Sequence, residues 1–420
     1  MTEWRNWSGS VVAHPAAIAR PRDEAELAAI VRSAAQVRVT GAGHSFMPLC
    51  ETTGTLVSLD DMAGELVVAA DRQSVAAPAG WSLKRLTQAL WAHGLSLPNQ
   101  GDVNPQSLGG ALATGTHGTG RELGSLATLA RSFRLVLADG SIVDCDPATE
   151  PDLFEAQRLS LGLLGIATRV RIAVIPALHL EERIERRGLA DVLEQLPELA
   201  AATRHMEFFL FPYAQSVTLK TLHPTAPGAL SEDEGDDRVF QACCDLAAAA
   251  PRTVPLIQRM LARLARSSRR TGPAWRIFPS ERTVRFEEME YELPVANAVA
   301  ALREALDLVR AKRMPLAFPF EFRMVAGDDI WLSPFHAGAC ASISVHQYAP
   351  MAWAEHFAAI EAVFRKHGGR PHWAKRHTLS STDVRALYPL AEAFGQVRKR
   401  VDPQGKFMND HLRQLFDFSL

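Results

Sequence analysis

Apolar residues recur along this chain in two periods, and the switches between them mark its elements. "RPRDEAELAAIVRSAAQ" places Leu27, Ile30 and Val31 on a helical stripe, opened by Pro21 and by Asp23 with Glu26 three residues later, the signature of a capped helix start. Short strands are expected at 37–40, 55–59 and 65–77. "SLKRLTQALWAHG" then predicts a second helix, with Ser82 as its cap and Leu83, Leu86 and Leu90 on one face. Two β-rich runs around Asp139-Gly140 predict a hairpin. Pro176 ends the strand "GIATRVRIAVIP", and longer strands and helices follow, so a domain boundary is placed there.

Beyond 176 the pattern alternates strands ("MEFFLFP", "SVTLKTL", "RTVRFEEMEYELP") with a helix over 296–312 that carries Val299, Leu302, Leu306 and Val309 on one stripe. Residues 229–273 are less regular. They open acidic, with "SEDEGDD", and end as a basic amphipathic helix, "PLIQRMLARLARSSRR". Such a helix can lie on a membrane surface. The commoner case, a solvated helix on the outside of a domain, is the first expectation.

At 420 residues the chain exceeds what one core usually serves, so two domains are expected. A formal charge of −2 provides no electrostatic footprint for nucleic acid. The five cysteines are scattered and lack metal spacing, which fits free thiols in a reducing compartment. No stretch has the composition of a signal peptide or of a membrane span, so a soluble cytoplasmic protein is expected.

Candidate chemistry collects in four places. "VRVTGAGHSFMPLC" runs from a strand into two glycines and His44, where the backbone is set to bend or to approach a ligand closely. It is not a dinucleotide fingerprint, because Phe46 stands where a small residue is needed and no helix follows at once. Residues 99–120, "NQGDVNPQSLGGALATGTHGTG", interleave glycines with hydroxyls, a composition suited to wrapping a long phosphate-containing cofactor. In "PFEFRMV", Phe320, Phe322 and Met324 share one face of a strand and Glu321 and Arg323 the other. "CASISVHQY" likewise puts Ser342, Ser344 and His346 on one face. If the two strands pair across 327–339, a carboxylate, a guanidinium and an imidazole line one polar surface; a surface ion pair is the plainer reading of Glu321 and Arg323 alone. Finally, "GGRPHWAKRHTLS" holds His372 and His377 without a complete ligand set, so no metal is expected. Lys375, beside Trp373, looks like a positioned cation.

Together "GAGHSF", "SLGGALATGTHGTG", "EFRMVAGDDIWLSP" and "GGRPHWAKRHT", in this order, resemble the flavin-dependent sugar-lactone oxidases of the vanillyl-alcohol oxidase fold. The nearest likeness is to the aldonolactone oxidoreductases, the L-gulonolactone and D-arabinono-lactone oxidases, with alditol oxidase as a near relative. The likeness runs from about residue 5 to 416 and is faint across 222–275. It implies an α+β fold: a two-subdomain FAD-binding domain (1–176), a cap domain whose large antiparallel sheet is flanked by helices (177–370), and a C-terminal segment (371–420) that returns to the first domain. It implies a covalent 8α-histidyl bond from His44 to FAD. Gly41, Ala42, Gly43, Ser45, Phe46, Ser107, Gly110, Thr114, Gly115, Thr116, His117, Gly118, Ile166, Lys375 and Asn409 are the cofactor-binding positions it implies. Glu321 and His346 would orient and deprotonate a hydroxyl, Arg323 and Lys375 would offset the developing anion, and Ser107 would touch substrate. "HWAK" matches the lactone oxidases where polyol oxidases carry "HWGK", whereas Ser107 resembles the serine of the alditol oxidases. The expected reaction is therefore oxidation of a sugar lactone by hydride transfer to flavin N5, with O2 or another acceptor. The alternative is an alditol oxidase of the xylitol or sorbitol type.

Overall fold

In the computed structural model, which describes residues 2–228, 237–280 and 282–417, local sequence signals set the N-terminal elements. Strand β1 (Ala17–Ala19) leads to helix α1 (Glu24–Ser33), whose cap Asp23 accepts the Glu26 amide at 2.9 Å while the Glu26 carboxylate accepts the Arg22 amide at 2.9 Å. Strands β2 (Val37–Thr40) and β3 (Thr55–Ser58) complete a three-stranded parallel sheet with β3 at its centre. Leu27, Ala28 and Val31 pack α1 onto it.

The strand expected at 65–77 is instead two, β4 (Val67–Val68) and β5 (Ser74–Pro78), paired antiparallel. Asp71 accepts the Gln73 amide and Arg72 takes a left-handed φ of 57°, so a turn interrupts the run. Helix α2 (Leu83–Ala92), capped by Ser82, buries Leu83, Leu86 and Leu90 as its stripe requires. After helix α3 (Leu108–Thr114) come β6 (Ala130–Val136) and β7 (Ile142–Cys145), the expected Asp139-Gly140 hairpin, then β8 (Ile166–Ala173). The resulting antiparallel sheet has the order β7-β6-β8-β5-β4.

A second, larger sheet follows. Its strands are β9 (His179–Gly188), β10 (His205–Leu210), β11 (Ser216–Pro224), β12 (Ser268–Pro273), β13 (Phe286–Pro294), β14 (Phe320–Val325), β15 (Cys340–Tyr348) and β16 (Arg370–Pro371). All pairs are antiparallel, in the order β12-β9-β11-β10-β14-β15-β13-β16. One face carries Phe208, Met289, Tyr291, Phe322, Ile343 and Val345, and helices α6 (Val295–Ala311) and α7 (Ala354–Lys366) cover it; Phe208 stacks on Phe322 with centroids 4.7 Å apart. The basic helix expected at 255–270 is cut short: α5 (Val254–Leu264), which follows α4 (Asp237–Ala249), covers its first part, and Ser268–Pro273 joins the sheet as β12. Most of the acidic run 231–237 lies outside the described residues.

The last residues come back to the first sheet. Val37 donates to Lys406 O, Gln36 Nε2 to Met408 O, and the Lys406 ammonium to Val31 O. Arg38 is the centre of this seam: 3% exposed, its guanidinium donates to the carbonyls of Leu49, Leu161, Gly162 and Phe407. Burial lowers its pKa to about 10, and these carbonyls hold the charge in place. Arg38→Ala would strand several buried carbonyls, water re-satisfying only some, and is expected to cost about 3–5 kcal/mol in urea unfolding. A loss below about 1 kcal/mol would show the seam is held elsewhere.

Candidate active site

The turn that follows β2 is shaped by two glycines. A Cβ on Gly41 would stand 2.2 Å from Ser107 Oγ, and Gly43 has φ of 68° with its carbonyl accepting the Trp7 amide. The turn thus lies flat against Ser107, which caps α3 by accepting the Gly110 amide at 3.3 Å. Between them and residues 157–167 runs a cleft of about 1060 Å³. Gly41, Ala42, Gly43, His44, Ser45, Ser107, Gly110, Thr114 and Ile166 line it.

The cleft fits an extended cofactor with phosphates. Its floor is near-bare backbone at 41–43 and 109–110, whose close approach suits phosphates, and two buried amide oxygens on its walls, Gln106 Oε1 and Gln157 Oε1, have no hydrogen-bond partner among the described residues and would accept from hydroxyl or N–H donors of such a ligand.

A second cavity of about 720 Å³ adjoins it, and His44, Gln106 and Ala374 line both. Trp7, Phe46 and Phe286 supply aromatic wall; Glu288, Glu290, Glu321, Arg323 and His346 come from the polar face of the large sheet, and Asp102, His117 and Lys375 from loops that meet it. Antiparallel register brings that charge together: Arg323 is opposite Ser342 and Glu207, Glu321 opposite Ser344, Glu290 opposite Ser344, and Glu288 opposite His346. The strand pairing expected from "EFRMV" and "CASISVHQY" therefore forms, and its polar face is buried rather than solvated.

Glu290 is the hub. It accepts from Arg323 Nη2 at 2.7 Å, from His117 Nε2 at 2.6 Å and from the Ser344 hydroxyl. Burial opposes its charge, but Arg323 and His117 outweigh burial and hold its pKa well below the usual range. His117 donates through Nδ1 to Gly118 O as well, so both ring nitrogens are donors; burial opposes the imidazolium, but Glu290 and Glu292 raise its pKa to about 9. His117, Glu290 and His372 bring ligand-type atoms within 4.8 Å of one another, and the His117–Glu290 hydrogen bond occupies that contact.

Glu321 lies on the other side of Arg323, its Oε1 3.4 Å from Nε. Burial, with Asp102 and Glu207 nearby, outweighs Arg323 and pushes its pKa up to about 8. His346 Nε2 stands 3.4 Å from Glu288 and 4.0 Å from Glu321. Lys375 pairs with Glu288, whose pKa falls to about 2 because Lys375 and His346 overcome burial. His44 stacks on Trp7 at 5.4 Å, and burial and Lys375 lower its pKa to about 4, leaving a neutral imidazole.

Several expected positions lie elsewhere. Ser107 lines the cleft and not the charged cavity, so its contact is with the glycine turn. Phe46, Thr116, His117 and Lys375 line the charged cavity instead of the cleft. Gly115 is the left-handed end of α3, and Gly118 is packed against the Gln100 carbonyl. Asn409 is 4% exposed and structural: it caps residues 410–416 by accepting the Leu412 amide and donates to Pro48 O and Glu51 O. Lys375 does not rest on Trp373, which is buried between Tyr388 and Phe416; it stands over Phe46. His377 is buried beside Trp373 and His411, away from the cavity.

Sequence reading missed Asp102, Glu288, Glu290, Glu292 and the buried Glu207–Lys220 pair, whose atoms are 2.8 Å apart. The signal for three of them is the alternation in "EEMEYEL", acids at 288, 290 and 292 between Met289, Tyr291 and Leu293.

Comparison with known proteins agrees with this architecture. Residues 15–146 match an FAD-binding domain and residues 170–415 match D-arabinono-1,4-lactone oxidase. The L-gulono-1,4-lactone dehydrogenase of Mycobacterium tuberculosis is 37% identical over 98% of each chain. The L-gulonolactone oxidase of Scyliorhinus torazame is 30% identical over 99% of this chain and 98% of its own. An alditol oxidase of a Streptomyces species is 31% identical over 98% of each. Cholesterol oxidase from B. sterolicum superposes with a TM-score of 0.82 at 17% identity, over 99% of this chain and 96% of that one, which establishes the fold alone and agrees with the vanillyl-alcohol oxidase type expected. The chain thus belongs to the D-arabinono-1,4-lactone oxidase family and is an FAD-dependent oxidoreductase.

Proposed function

We propose that this protein oxidises the C2 hydroxyl of a five- or six-carbon aldono-1,4-lactone, with FAD bound covalently through His44 in the glycine cleft and O2 or another acceptor reoxidising it. In this reading residues 1–176 are the FAD-binding domain, 177–370 the cap that carries the substrate wall, and 371–420 the segment that closes the first domain. The observation that carries it is the sharing of His44 between a cleft shaped for a long cofactor and a cavity whose far wall holds Glu321 and Arg323.

Bound FAD supplies the hydride acceptor, at N5. Glu321, held near pKa 8, is suited to take the hydroxyl proton near neutral pH, and His346, 4.0 Å away, orients it. Arg323, fixed by Glu290, and Lys375, fixed by Glu288, offset the negative charge that develops opposite them. The aromatic wall of Trp7, Phe46 and Phe286 gives this cluster an apolar border on one side.

The first expected outcome concerns the base. A carboxyl acting as base works only once deprotonated, so substrate reduction of the flavin should rise with pH through about 8. Glu321→Gln should slow that step at least about a hundredfold and flatten the profile. Near-normal anaerobic reduction in this variant would remove Glu321 from the role.

The second concerns the cofactor bond. A neutral, half-buried His44 offers a free ring nitrogen where the two cavities meet. Acid-precipitated protein should stay yellow and show a fluorescent band on a denaturing gel, and His44→Ala should lose the band. Complete release of flavin from the wild type would show that the bond is absent.

The third separates lactones from alditols. The acyl group next to C2 acidifies that position, so aldonolactones should exceed xylitol and sorbitol in kcat/KM. The 31% identical alditol oxidase makes the opposite order the competing result. If either alditol outperformed every lactone in a panel, the polyol reading would replace this one.

A further inference from the structure

The charged cavity holds a second carboxylate that the reaction proposed above leaves unused. Asp102 lines it together with Glu321. The loop that carries Asp102 is fixed at several points: the Asp102 carbonyl accepts the Ser280 amide at 2.9 Å, the Asn104 carbonyl accepts from Lys84 and the Gln106 carbonyl from Leu83. One carboxylate thus arrives from the N-terminal half of the chain and the other on β14, and both face the same cavity.

A third acid stands behind them. Oxygen atoms of Asp102, Glu207 and Glu321 lie within 4.8 Å of one another. Such a cluster could suit a metal ion, but each carboxylate already faces a cation: Glu207 Oε1 is 2.8 Å from Lys220 Nζ, Asp102 Oδ2 is 3.4 Å from Arg282 Nη2, and Glu321 Oε1 is 3.4 Å from Arg323 Nε. Three cations among three acids leave no excess negative charge to attract a metal.

The three acids differ in what they can do. Glu207 does not line the cavity and is held by Lys220. Glu321 is the proton acceptor in the reading above, and its Oε1 is buried without a hydrogen-bond partner among the described residues. Asp102 is 9% exposed; burial opposes its charge, but Lys220, Arg323 and Arg282 outweigh burial and lower its pKa, so it stays an anion that can only accept. The single long bond from Arg282 leaves it lone pairs for other donors.

Two hydroxyls on adjacent carbons match this pair of carboxylates. One carboxylate takes the proton of the hydroxyl that reacts, and the other holds the next hydroxyl through a hydrogen bond of about 2.7 Å. In an aldonolactone the reacting C2 has the acyl carbon on one side and C3, with its hydroxyl, on the other. The acyl oxygen can only accept and calls for a cation, whereas the C3 hydroxyl can donate and calls for an anion. We propose that Asp102 is a specificity-determining residue: it accepts a hydrogen bond from the hydroxyl on the carbon next to the one oxidised, and so selects substrates that carry a vicinal diol. This role rests on the placement of the reacting hydroxyl at Glu321 proposed above.

Turnover of an aldono-1,4-lactone and of its 3-deoxy analogue, compared in the flavin-loaded wild type and variants, tests it. The analogue keeps the C2 hydroxyl and the acyl group and lacks only the group assigned to Asp102. The wild type should prefer the parent lactone at least about thirtyfold in kcat/KM, the usual worth of a hydrogen bond to a charged group. Asp102→Ala should bring the two lactones within about threefold of each other, while Asp102→Asn, whose amide oxygen still accepts, should keep part of the preference. Flavin absorbance and melting temperature of both variants should match the wild type. Asp102 also helps to raise the pKa of Glu321, but that influence alone would change the rates of both substrates alike and leave their ratio standing. An unchanged ratio in Asp102→Ala would therefore overturn the proposal, as would a wild type that does not distinguish the two lactones. The base is read separately, because Glu321→Gln should slow both lactones together and keep their ratio. If alditols prove to be the substrates, xylitol against a 2-deoxypentitol supplies the same ratio, since the neighbour of the reacting hydroxyl is again the group removed.

Discussion

Carboxylates buried on one face of the large sheet must be matched by cations, and nearly everything that makes the site depends on that matching. Glu288, Glu290 and Glu292 of β13 lie within one run of backbone that cannot separate them, and an uncompensated carboxylate inside a protein costs several kcal/mol. The partners of Glu288 and Glu290 come from three distant parts of the chain: Arg323 from β14, across the intervening strand β15, His117 from the loop after α3, and Lys375 from beyond β16. The sheet therefore cannot settle its charged face without closing on the N-terminal half. Docking of the two halves and assembly of the cavity are one event.

The same matching sets up different protonation states side by side. Glu290 has two cations and stays ionised, whereas Glu321 shares one with it, faces Asp102 and Glu207, and is held near 8. Two carboxylates separated by one guanidinium thus take opposite tendencies, the arrangement by which one site holds a fixed counter-ion and a proton acceptor together. Glu292 lies nearly fully buried with neither oxygen hydrogen-bonded, and burial pushes it to about 7. Charge on this face is therefore divided among groups, so that replacing one residue redistributes protons over its neighbours.

Local features of the fold were legible in the sequence. Caps at Asp23 and Ser82, the Asp139-Gly140 hairpin and the strand alternation of Glu321 and Arg323 each depend on residues within a few positions of one another, and these formed as expected. What was not legible depends on long-range register. That Glu290 takes Arg323 and His117 as partners follows from strand order in a sheet whose neighbours are not consecutive, and alternation names a face without naming what meets it. Lys375 was read as a fixed cation, but its neighbour Trp373 points into another core and Glu288 fixes it instead. The division of glycine-rich residues between a cofactor cleft and tight backbone packing, as at Gly118, likewise requires the approaching carbonyl of Gln100 to be seen.

The seam at Arg38 has a consequence for how the chain is made. Arg38 and Val37 are bonded to Phe407 and Lys406, residues synthesised some 370 positions later. As the polypeptide leaves the ribosome, the parallel sheet must wait with its guanidinium lacking one carbonyl and strand β2 lacking its bond to Lys406, through translation of the whole middle of the protein. The carbonyls of residues 406–408 thus close a seam opened near the start of the chain, and a chain truncated before residue 406 would leave Gln36, Val37 and Arg38 without those acceptors.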